Sequence, residues 1–369
     1  MSNIGLAVIG STGVIGRVHI AAINQLDNCR LVGITARTQA PLCQQADELG
    51  VAHFPTLEDT LAHPEVDAVV IATPHPSHRD ITLKSAAAGK HILVEKPMSV
   101  TPSEADDMVS ACREAGVKLG VLYNNRFRSE ALKMRELIDG GAIGDIYRVV
   151  MTSAMLRTQD YYDRLAWRGT WADEGGGTLI NQGIHAIDMM QWLGGMPSNV
   201  FGMISTLRHT AEVEDFATAI LSYDGGGQGS MHCNTTQAPN HQRLELWGES
   251  GAIVMDDWKI TLHRLDTPVQ EFIDNDMSPT YDAPGHQTET YELDPVPNTH
   301  VPAIGDFAAA ILEDRDPKIT GEDGRNSQEL VAAITLSGCT GQPVSIPVDR
   351  ERYDALQREL AEAKSLPRV

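Results

Sequence analysis

The chain has 369 residues, 42% of them hydrophobic and 21% charged, which is enough for two domains with buried cores and unlike a disordered composition. Its formal net charge of −21 repels phosphate backbones and anionic lipids, so neither nucleic acid nor a membrane surface is expected as a partner. The five cysteines are far apart and form no C-x-x-C pair, and the N-terminus lacks a basic flank and an apolar signal core; both features predict a cytoplasmic protein without disulfides.

The first third of the chain alternates short apolar runs with helical patterns. Buried strands are predicted at residues 5–10, 31–35, 68–72, 91–95 and 119–123. A helix is predicted over residues 14–26, where Ile15, Val18, Ala22 and Ile23 share one face. Near-continuous apolar strands separated by helices are typical of a parallel sheet covered on both faces. Residues 1–124 are therefore predicted to form a doubly wound, dinucleotide-binding Rossmann domain.

A glycine-rich loop follows the first strand and leads into the first helix. Glycine lets the backbone turn tightly and approach a pyrophosphate, and the helix N-terminus offers free N–H groups and a positive dipole. The spacing is G-x-x-G-x-x-G, one residue longer than the usual fingerprint, but its place between strand and helix favours a phosphate site. The residues predicted to bind the dinucleotide here are Gly10, Thr12, Gly13, Val14, Ile15 and Gly16.

The end of the second strand bears on the choice of cofactor. NAD-specific sites place Asp or Glu about 20 residues beyond the glycines to bind the ribose diol. Here Ala36 stands at that position and is followed by Arg37 and Thr38. Without an acidic side chain at this position, nothing repels the 2′-phosphate of NADP, and the Arg37 guanidinium is able to pair with that phosphate. NADP is therefore favoured over NAD, with Arg37 and Thr38 as the predicted contacts. An Arg37 that instead stacks on adenine would serve either cofactor.

The pattern changes after residue 124. A helix is predicted near residues 128–139, and hairpin-type turns then join several short β segments, which predicts an antiparallel sheet with one face buried against helices. These strands are predicted at residues 147–155, 216–223, 229–235, 243–247, 252–256 and 260–265. Residues 274–300 are expected to be a loop, followed by helices near 302–313, 326–338 and 350–364. Residues 125–369 are therefore predicted to form a second, α+β domain.

Several further motifs are distributed along nearly the whole chain. They are Thr73-Pro74-His75-Pro-Ser-His78, Glu95-Lys96-Pro97, Tyr123-Asn124-Asn125-Arg126-Phe127, Gly175-Gly-Gly177, His185-Ala-Ile-Asp188, Asp306-Phe307 and Gly321-Glu-Asp-Gly324. With the glycine loop, they resemble the glucose–fructose oxidoreductase, inositol dehydrogenase and rhizopine catabolism (Gfo/Idh/MocA) family. The resemblance implies a Rossmann domain, a C-terminal domain with a large, open, mostly antiparallel sheet, and homodimers or homotetramers assembled through that sheet.

The resemblance also implies roles for individual residues. It implies that Lys96, after the fifth strand, hydrogen-bonds the substrate hydroxyl and takes part in proton transfer, and that His185 is catalytic. A histidine titrates near neutrality and is able to accept the hydroxyl proton, although a lone histidine also suits a structural role. Asn181 stands where inositol-dehydrogenase-like members have Asp. Because Asn does not ionise, the proton relay of those members is less readily assigned to this chain. The further cofactor contacts implied by these motifs are Thr73, Pro74, His75, His78, Glu95, Lys96 and Asn124.

Residues 157–171 are rich in aromatic and arginine side chains. Aromatic planes stack on sugar C–H faces, and arginine forks hold hydroxyls or a carboxylate. We predict that this loop faces the substrate and that Trp167 and Arg168 also border the nicotinamide; a subunit interface or an aromatic core is the alternative. The predicted substrate contacts are Lys96, Arg126, Arg157, Tyr162, Trp167, Asn181, His185 and Asp188. No metal is predicted, because hydride transfer needs none and the histidines do not cluster in the sequence.

The prediction is an NAD(P)-dependent oxidoreductase that transfers a hydride between the nicotinamide and a secondary hydroxyl or ketone of a sugar or cyclitol. Two alternatives stay open at this point. One is an enzyme of the same family that retains its cofactor and epimerises or cleaves a sugar. The other is a non-enzymatic dinucleotide sensor, against which the presence of both Lys96 and His185 counts. The sequence leaves the particular sugar, the carbon and the physiological direction open.

Overall fold

The computed structural model describes residues 3–275, 277 and 279–367. Positions 1 and 2 of the predicted N-terminus, and positions 276 and 278 of the predicted loop, lie outside the described residues. The chain divides into two compact units. The first comprises Met1–Phe127, Asp173–Gly175 and Pro297–Gln328, and the second comprises Arg128–Ala172, Gly176–Val296 and Glu329–Val369. The domain boundary near residue 124 stays a prediction.

The first unit is built on a parallel sheet of six strands in the order β3-β2-β1-β4-β5-β6. The strands are β1 (Ile4–Ile9), β2 (Cys29–Thr35), β3 (Ala52–His53), β4 (Ala68–Ile71), β5 (His91–Val94) and β6 (Leu119–Val121). Every residue of β1 and β4 is buried, because helices cover both faces of the sheet. The strand order reverses at β1 and β4, and a ligand crevice opens beyond the carboxyl ends at such a point. The predicted Rossmann sheet is confirmed.

Six helices surround this sheet within the described part of the first unit. They are α1 (Val14–Ile23), α2 (Gln39–Leu49), α3 (Leu57–Ala62), α4 (His78–Ala87), α5 (Pro102–Ala115) and α10 (His300–Leu312). The sequence placed α10 in the C-terminal domain, but it packs against α1 and β1. Its apolar residues Ala303, Ile304, Phe307 and Ala308 are buried in that contact region.

The second unit contains a sheet of nine strands in the order β14-β13-β12-β11-β7-β10-β9-β8-β15. The strands are β7 (Ile146–Ala154), β8 (Asn199–Ser205), β9 (Phe216–Ser222), β10 (Gln228–Asn234), β11 (His241–Gly248), β12 (Gly251–Asp256), β13 (Lys259–Leu265), β14 (His286–Tyr291) and β15 (Val344–Ser345). Neighbours are antiparallel except β7 and β10, so the predicted mostly antiparallel sheet is confirmed.

Three strands of this sheet correct the sequence analysis. β14 lies inside the segment expected to be a loop, and β8 and the two-residue strand β15 were not predicted. β14 carries the polar sequence HQTETY, is exposed over nearly all its length and pairs with β13 at the edge of the sheet. A sheet-edge strand exposed on both faces shows no apolar alternation, so the periodicity that reveals a half-buried strand is missing.

One face of the nine-stranded sheet packs against helices, and part of the other face is exposed. The helices of this unit are α6 (Ser129–Asp139), α7 (Gln159–Asp163), α8 (Ile184–Gly194), α9 (Val269–Asp274) and α12 (Arg350–Ala363), and α11 (Gly321–Thr340) enters it at Glu329. α8 covers β7 and β11. On the opposite face, Phe201, Met203 and Ile220 are 40%, 69% and 58% exposed. No helix among the described residues is long and apolar enough to cross a membrane.

Candidate active site

Two glycines of the loop between β1 and α1, Gly10 and Gly16, leave no room for a side chain. Gly10 has φ +89°, and a Cβ there would lie 2.5 Å from the carbonyl oxygen of Ala72. A Cβ on Gly16 would lie 2.5 Å from the carbonyl oxygen of Gly10. The first turn of α1 has no side-chain cap and no acidic residue, and the Ser11 hydroxyl is buried without a partner among the described residues. Exposed N–H groups at the positive end of a helix fit the pyrophosphate of a dinucleotide.

The loop after β2 carries the two predicted contacts to the adenosine ribose. Arg37 and Thr38 are exposed, and no ion pair joins Arg37 to a carboxylate in the described part of the chain. Thr35, the last residue of β2, is buried and donates its hydroxyl to the carbonyl oxygen of Phe54 at 2.7 Å. The loop therefore presents a guanidinium to solvent from an anchored base, an arrangement suited to pairing with a phosphate.

Two buried histidines follow β4. His75 contacts the carbonyl oxygen of Glu174 through Nδ1 at 3.2 Å, and burial, reinforced by the charge of His78, lowers the pKa of His75 to about 3. His78 lies between the carbonyl oxygens of Thr73 and Pro97, at 2.8 and 2.9 Å, and burial lowers its pKa too. Both rings are therefore neutral near neutral pH, and His78 connects the loop after β4 to the segment after β5.

Glu95, directly after β5, is buried against two histidines. Its Oε1 accepts a hydrogen bond from His19 Nε2 of α1 at 2.8 Å, and the ring of His300 lies 5.3 Å from that of His19. Burial by itself raises the pKa of Glu95, but the hydrogen bond and charge of His19, with the charges of Lys96 and His300, bring it to about 2. The carboxylate is therefore ionised, and its other oxygen accepts the backbone N–H of Lys96 at 3.0 Å.

His19, Glu95 and His300 are also the residues most able to hold a metal in this unit, since one ligand atom from each lies within 4.8 Å of the others. Zinc ligands at about 2.0–2.1 Å from the metal stand more than about 3 Å apart. The 2.8 Å contact between His19 and Glu95 is that of a charge-assisted hydrogen bond. The group thus serves the structure as a hydrogen-bonded support for Lys96.

The remaining predicted residues of the first unit differ in their surroundings. Lys96 is half-buried at the carboxyl end of β5 and precedes a cis peptide bond to Pro97. Asn124 donates its amide to the hydroxyl of Thr299 at 2.6 Å. Arg126 is buried and paired with Asp323 at 2.8 Å, a contact that holds the guanidinium inside the unit.

In the second unit, α8 carries His185 on its first turn. His185 is half-buried, whereas Asp188, one turn later, is fully buried and accepts a hydrogen bond from the Gln191 amide at 3.3 Å. Asn181 lies before α8, in a turn, and donates from Nδ2 to the Tyr161 hydroxyl at 3.3 Å. The helix begins only at Ile184, so Asn181 lies outside it.

The arginine-rich loop packs around Tyr161. The guanidinium carbons of Arg168 and Arg157 lie 4.0 and 5.3 Å from the centre of its ring. The Tyr161 hydroxyl also accepts from the Gln182 amide at 2.7 Å. Tyr162 is buried with its hydroxyl 2.9 Å from that of Thr235, and Trp167 is half-buried beside Arg168. The structure therefore brings Arg157, Arg168 and Asn181 together around one ring.

Two adjacent buried carboxylates, which the sequence analysis missed, support this region. Glu214 accepts the backbone N–H groups of Gly177 and Leu179 at 3.0 Å. Asp215 accepts three successive N–H groups of the loop 207–209 and contacts the His209 ring at 2.9 Å. The available signal was an acidic pair immediately before an apolar strand, where a solvated turn is the more usual interpretation. His19 was missed too, because a histidine on the buried face of a helix gives no local sign of its partner.

Comparison with known proteins identifies both parts of the chain. Residues 4–123 match the oxidoreductase family with an NAD-binding Rossmann fold. Residues 131–254 match the GFO/IDH/MocA C-terminal domain. The two matches follow one another along the chain and together cover well over half of it.

Relatives of similar length extend these matches. The chain is 26% identical over 347 residues to YrbE, an uncharacterized oxidoreductase of Bacillus subtilis, covering 92% of this chain and 95% of the relative. It is 24% identical over 345 residues to the scyllo-inositol 2-dehydrogenase (NADP+) of the same organism, covering 91% and 93%. The WlbA dehydrogenase of Bordetella pertussis, solved in complex with NADH and UDP-GlcNAcA, is similar with a TM-score of 0.79 and 29% identity, over 94% of this chain and 100% of that one.

Proposed function

This chain belongs to the GFO/IDH/MocA family of oxidoreductases, and on that premise we propose that it is an NAD(P)-dependent dehydrogenase or reductase acting on a secondary hydroxyl or ketone of a sugar or cyclitol. The observation that carries the proposal is Lys96, held by the ionised Glu95 at the same edge of the parallel sheet as the phosphate-binding glycine loop. The scyllo-inositol dehydrogenase among the relatives supports a polyhydroxylated substrate.

In this proposal, different residues of the first unit bind different parts of the dinucleotide. The Gly10–Gly16 loop and the N-terminus of α1 bind the pyrophosphate, and Arg37 with Thr38 binds the adenosine ribose. The loop after β4 and Asn124 complete the binding surface. When bound, the nicotinamide supplies the hydride acceptor for oxidation, or the hydride donor for reduction.

Lys96 and His185 handle the hydroxyl of the substrate in this proposal. The Lys96 ammonium donates a hydrogen bond to the substrate oxygen and stabilises the negative charge that develops when the proton leaves. The His185 imidazole accepts that proton during oxidation and returns it during reduction. Glu95 keeps Lys96 in position, because its carboxylate binds the Lys96 backbone N–H and the His19 ring at the same time.

NADP is the favoured cofactor. The loop after β2 offers the exposed Arg37 to a 2′-phosphate and has no acidic residue between Thr35 and Thr38 that would bind the ribose diol of NAD. A relative that uses NADP, the scyllo-inositol 2-dehydrogenase, supports this preference.

We also propose that the enzyme is a homodimer or homotetramer assembled through the exposed face of the nine-stranded sheet. Phe201 and Ile220 are register partners on neighbouring strands there, and Met203 extends the apolar surface. Covering such a patch removes apolar area from water. A cytoplasmic location suits the five cysteines, all of which are free thiols.

The test is to replace Lys96 and His185 separately by Ala and to measure turnover and dinucleotide binding. The substrates are polyols, aldoses and keto-sugars, supplied with NADP or NAD, and the signal is the absorbance of the reduced nicotinamide. We expect each variant to lose turnover by at least about a hundredfold, as removal of a general acid or base does, while dinucleotide affinity is kept.

Three controls complete this experiment. Replacement of Lys90 by Ala, whose ammonium binds the carbonyl oxygens of His63 and Val66, should leave turnover unchanged. Reduced nicotinamide should accumulate in proportion to oxidised substrate, because a cofactor-retaining epimerase would not release it. Wild-type protein that binds dinucleotide and turns over no sugar, or variants that keep full turnover, would contradict the proposal.

A further inference from the structure

Two positive charges surround a single aromatic ring in the second unit. We refer to Arg157, Tyr161 and Arg168 as the arginine–tyrosine cluster; both guanidinium carbons lie within 5.3 Å of the centre of the Tyr161 ring. The negative face of the ring attracts each cation, but two like charges at this range also repel each other. The cluster therefore concentrates positive charge in one place.

Neither arginine of the cluster has a carboxylate partner among the described residues. The side chain of Arg157 donates to the carbonyl oxygen of Leu156 at 3.0 Å, and that of Arg168 to the carbonyl oxygen of Tyr161 at 3.1 Å. Each guanidinium has five donors, so most of them are unused. Arg164, in the same loop, does have a partner, since it pairs with Asp160 at 2.7 Å. The chain has 50 acidic and 29 basic residues, yet neither of these two neighbouring guanidinium groups pairs with a carboxylate in the described structure. Both are therefore able to bind an anion from outside the protein.

The backbone of Arg157 is fixed by buried groups. Its N–H donates to the carbonyl oxygen of Thr235 at 2.9 Å, and its own carbonyl oxygen contacts His209 Nε2 at 2.9 Å. His209 is oriented in turn by the buried Asp215, 2.9 Å from its Nδ1. A guanidinium that starts from such a fixed point is pre-organised for binding, unlike one on a solvated loop.

Tyr161 connects the cluster to the segment that carries His185. Its hydroxyl accepts hydrogen bonds from the amides of Asn181 and Gln182, the residues that lead into α8. His185 follows on the first turn of that helix. The cluster is thus hydrogen-bonded to the segment that directly precedes the proposed catalytic histidine in the second unit.

We propose that Arg157 and Arg168 bind an oxyanion carried by the substrate, a carboxylate or a phosphate ester, so that the enzyme acts on a sugar acid or sugar phosphate in preference to a neutral sugar. The planar guanidinium fork matches both groups in a bidentate manner. The inference rests on the proposed function, because it describes the substrate on which His185 acts. Arg157 and Arg168 determine specificity here and take no part in the proton transfer.

The experiment uses the full-length protein and three substrates that differ only at C6 of one ring, namely D-glucuronate, glucose 6-phosphate and D-glucose. Turnover is measured with the dinucleotide, and binding is measured by calorimetry on the dinucleotide-loaded protein. At least one anionic sugar should surpass D-glucose by about tenfold or more in kcat/KM or in affinity, because charge-assisted bidentate pairs are strong. The acid and the phosphate arms distinguish the two sources of the anion.

Variants R157Q and R168Q, with R164Q as the matched control, assign the effect to the cluster. Each of the first two should raise KM for the anionic sugar about tenfold with a smaller change in kcat, and should change KM for D-glucose much less, whereas R164Q should leave KM for both sugars unchanged. A D-glucose response equal to both anionic sugars, no binding of any of the three, or unchanged KM in R157Q and R168Q overturns the inference. Anionic sugars that bind through the two arginines but are never oxidised or reduced overturn the proposed function and leave the anion site standing.

Discussion

Burial acts on Glu95 and His75 in the same way, yet the two residues end in opposite charge states. For both, removal from water disfavours the charged form. Glu95 has the His19 hydrogen bond and the nearby positive charge of Lys96 to offset that penalty, and it stays ionised with a pKa of about 2. His75 is buried beside the adverse charge of His78, with its Nδ1 against the carbonyl oxygen of Glu174, so it stays neutral with a pKa of about 3. Charged partners, more than depth, decide the outcome.

The neutral state of His75 makes stability depend on pH. In the unfolded chain the ring takes up a proton below pH about 6.5, whereas the folded ring does so only near pH 3, so the unfolded state binds more protons in between. The contribution of His75 to stability is therefore present above pH about 6.5 and is lost as pH falls, by up to about 1.4 kcal/mol per pH unit.

The variant His75→Asn should remove this dependence. Urea unfolding at pH about 7.5 and about 5 should give a smaller difference in the free energy of unfolding for the variant than for the wild type. The exposed His53 offers a matched control, since His53→Asn should leave the difference unchanged. An equal pH dependence in His75→Asn and wild type would contradict the neutral buried state.

Arg37 tests the choice of cofactor at a single residue. If its guanidinium pairs with the 2′-phosphate, Arg37→Gln should lower kcat/KM for NADP by about tenfold to a hundredfold and change that for NAD much less. Arg30→Gln, which removes an exposed arginine of β2 that pairs with Glu65, serves as the control. An equal loss of kcat/KM with NADP and with NAD would show that Arg37 stacks on adenine and does not pair with the 2′-phosphate.

Among the secondary-structure elements, the turn from β1 into α1 depends on close backbone approach between the end of β1, the start of α1 and the segment that follows β4. Gly10 and Gly50 both have positive φ, +89° and +67°, but a Cβ on Gly10 would meet the carbonyl oxygen of Ala72 at 2.5 Å, while a Cβ on Gly50 meets nothing within 4 Å. Gly50→Ala therefore introduces backbone strain alone, about 1–2 kcal/mol. Gly10→Ala adds a collision with the neighbouring strand end.

This pair of variants separates the two effects. Gly10→Ala should cost about 1–3 kcal/mol more in the free energy of unfolding than Gly50→Ala, and should weaken dinucleotide binding, which Gly50→Ala should leave intact. Denaturant unfolding and fluorescence titration with the reduced dinucleotide measure the two quantities. Similar stability and affinity in both variants would contradict the close approach of backbone to phosphate at Gly10.

At the scale of the whole molecule, the apolar face of the nine-stranded sheet decides the oligomeric state in our proposal. Ile220 is 58% exposed on β9 and faces away from the core, so Ile220→Glu should leave each subunit folded. Burying an unpaired carboxylate in a subunit interface costs several kcal/mol, about enough to dissociate it at micromolar concentration. Analytical ultracentrifugation should show smaller species for Ile220→Glu than for the wild type.

Two further observations complete the oligomer test. Ser222→Glu, on the same strand and also exposed but at its end, should change the assembly less. Circular dichroism must show an intact fold in each variant. A monomeric wild type, or an Ile220→Glu variant with the same mass as the wild type, would contradict assembly through this face.

Family membership could be inferred from the sequence because the motifs that indicate it are short and contiguous. The comparisons confirm that membership. Glu95-Lys96-Pro97 and the glycine loop are short segments whose chemistry depends on a strand end or a helix start. The same holds for the apolar runs of β1, β4 and β5, since a strand buried on both faces has the same composition wherever it occurs. The site roles of Lys96 and His185 stay predictions.

The parallel sheet and the family could be inferred from the sequence alone, since their signals lie in neighbouring residues. The partners of the buried charges became known only from the packed fold. His19 meets Glu95 across 76 positions of the chain, and Asp215 orients His209, which in turn holds Arg157. The edge strand β14 likewise exists only because β13 is there to pair with it. Such contacts depend on packing between distant segments, and no local pattern of residue types encodes them.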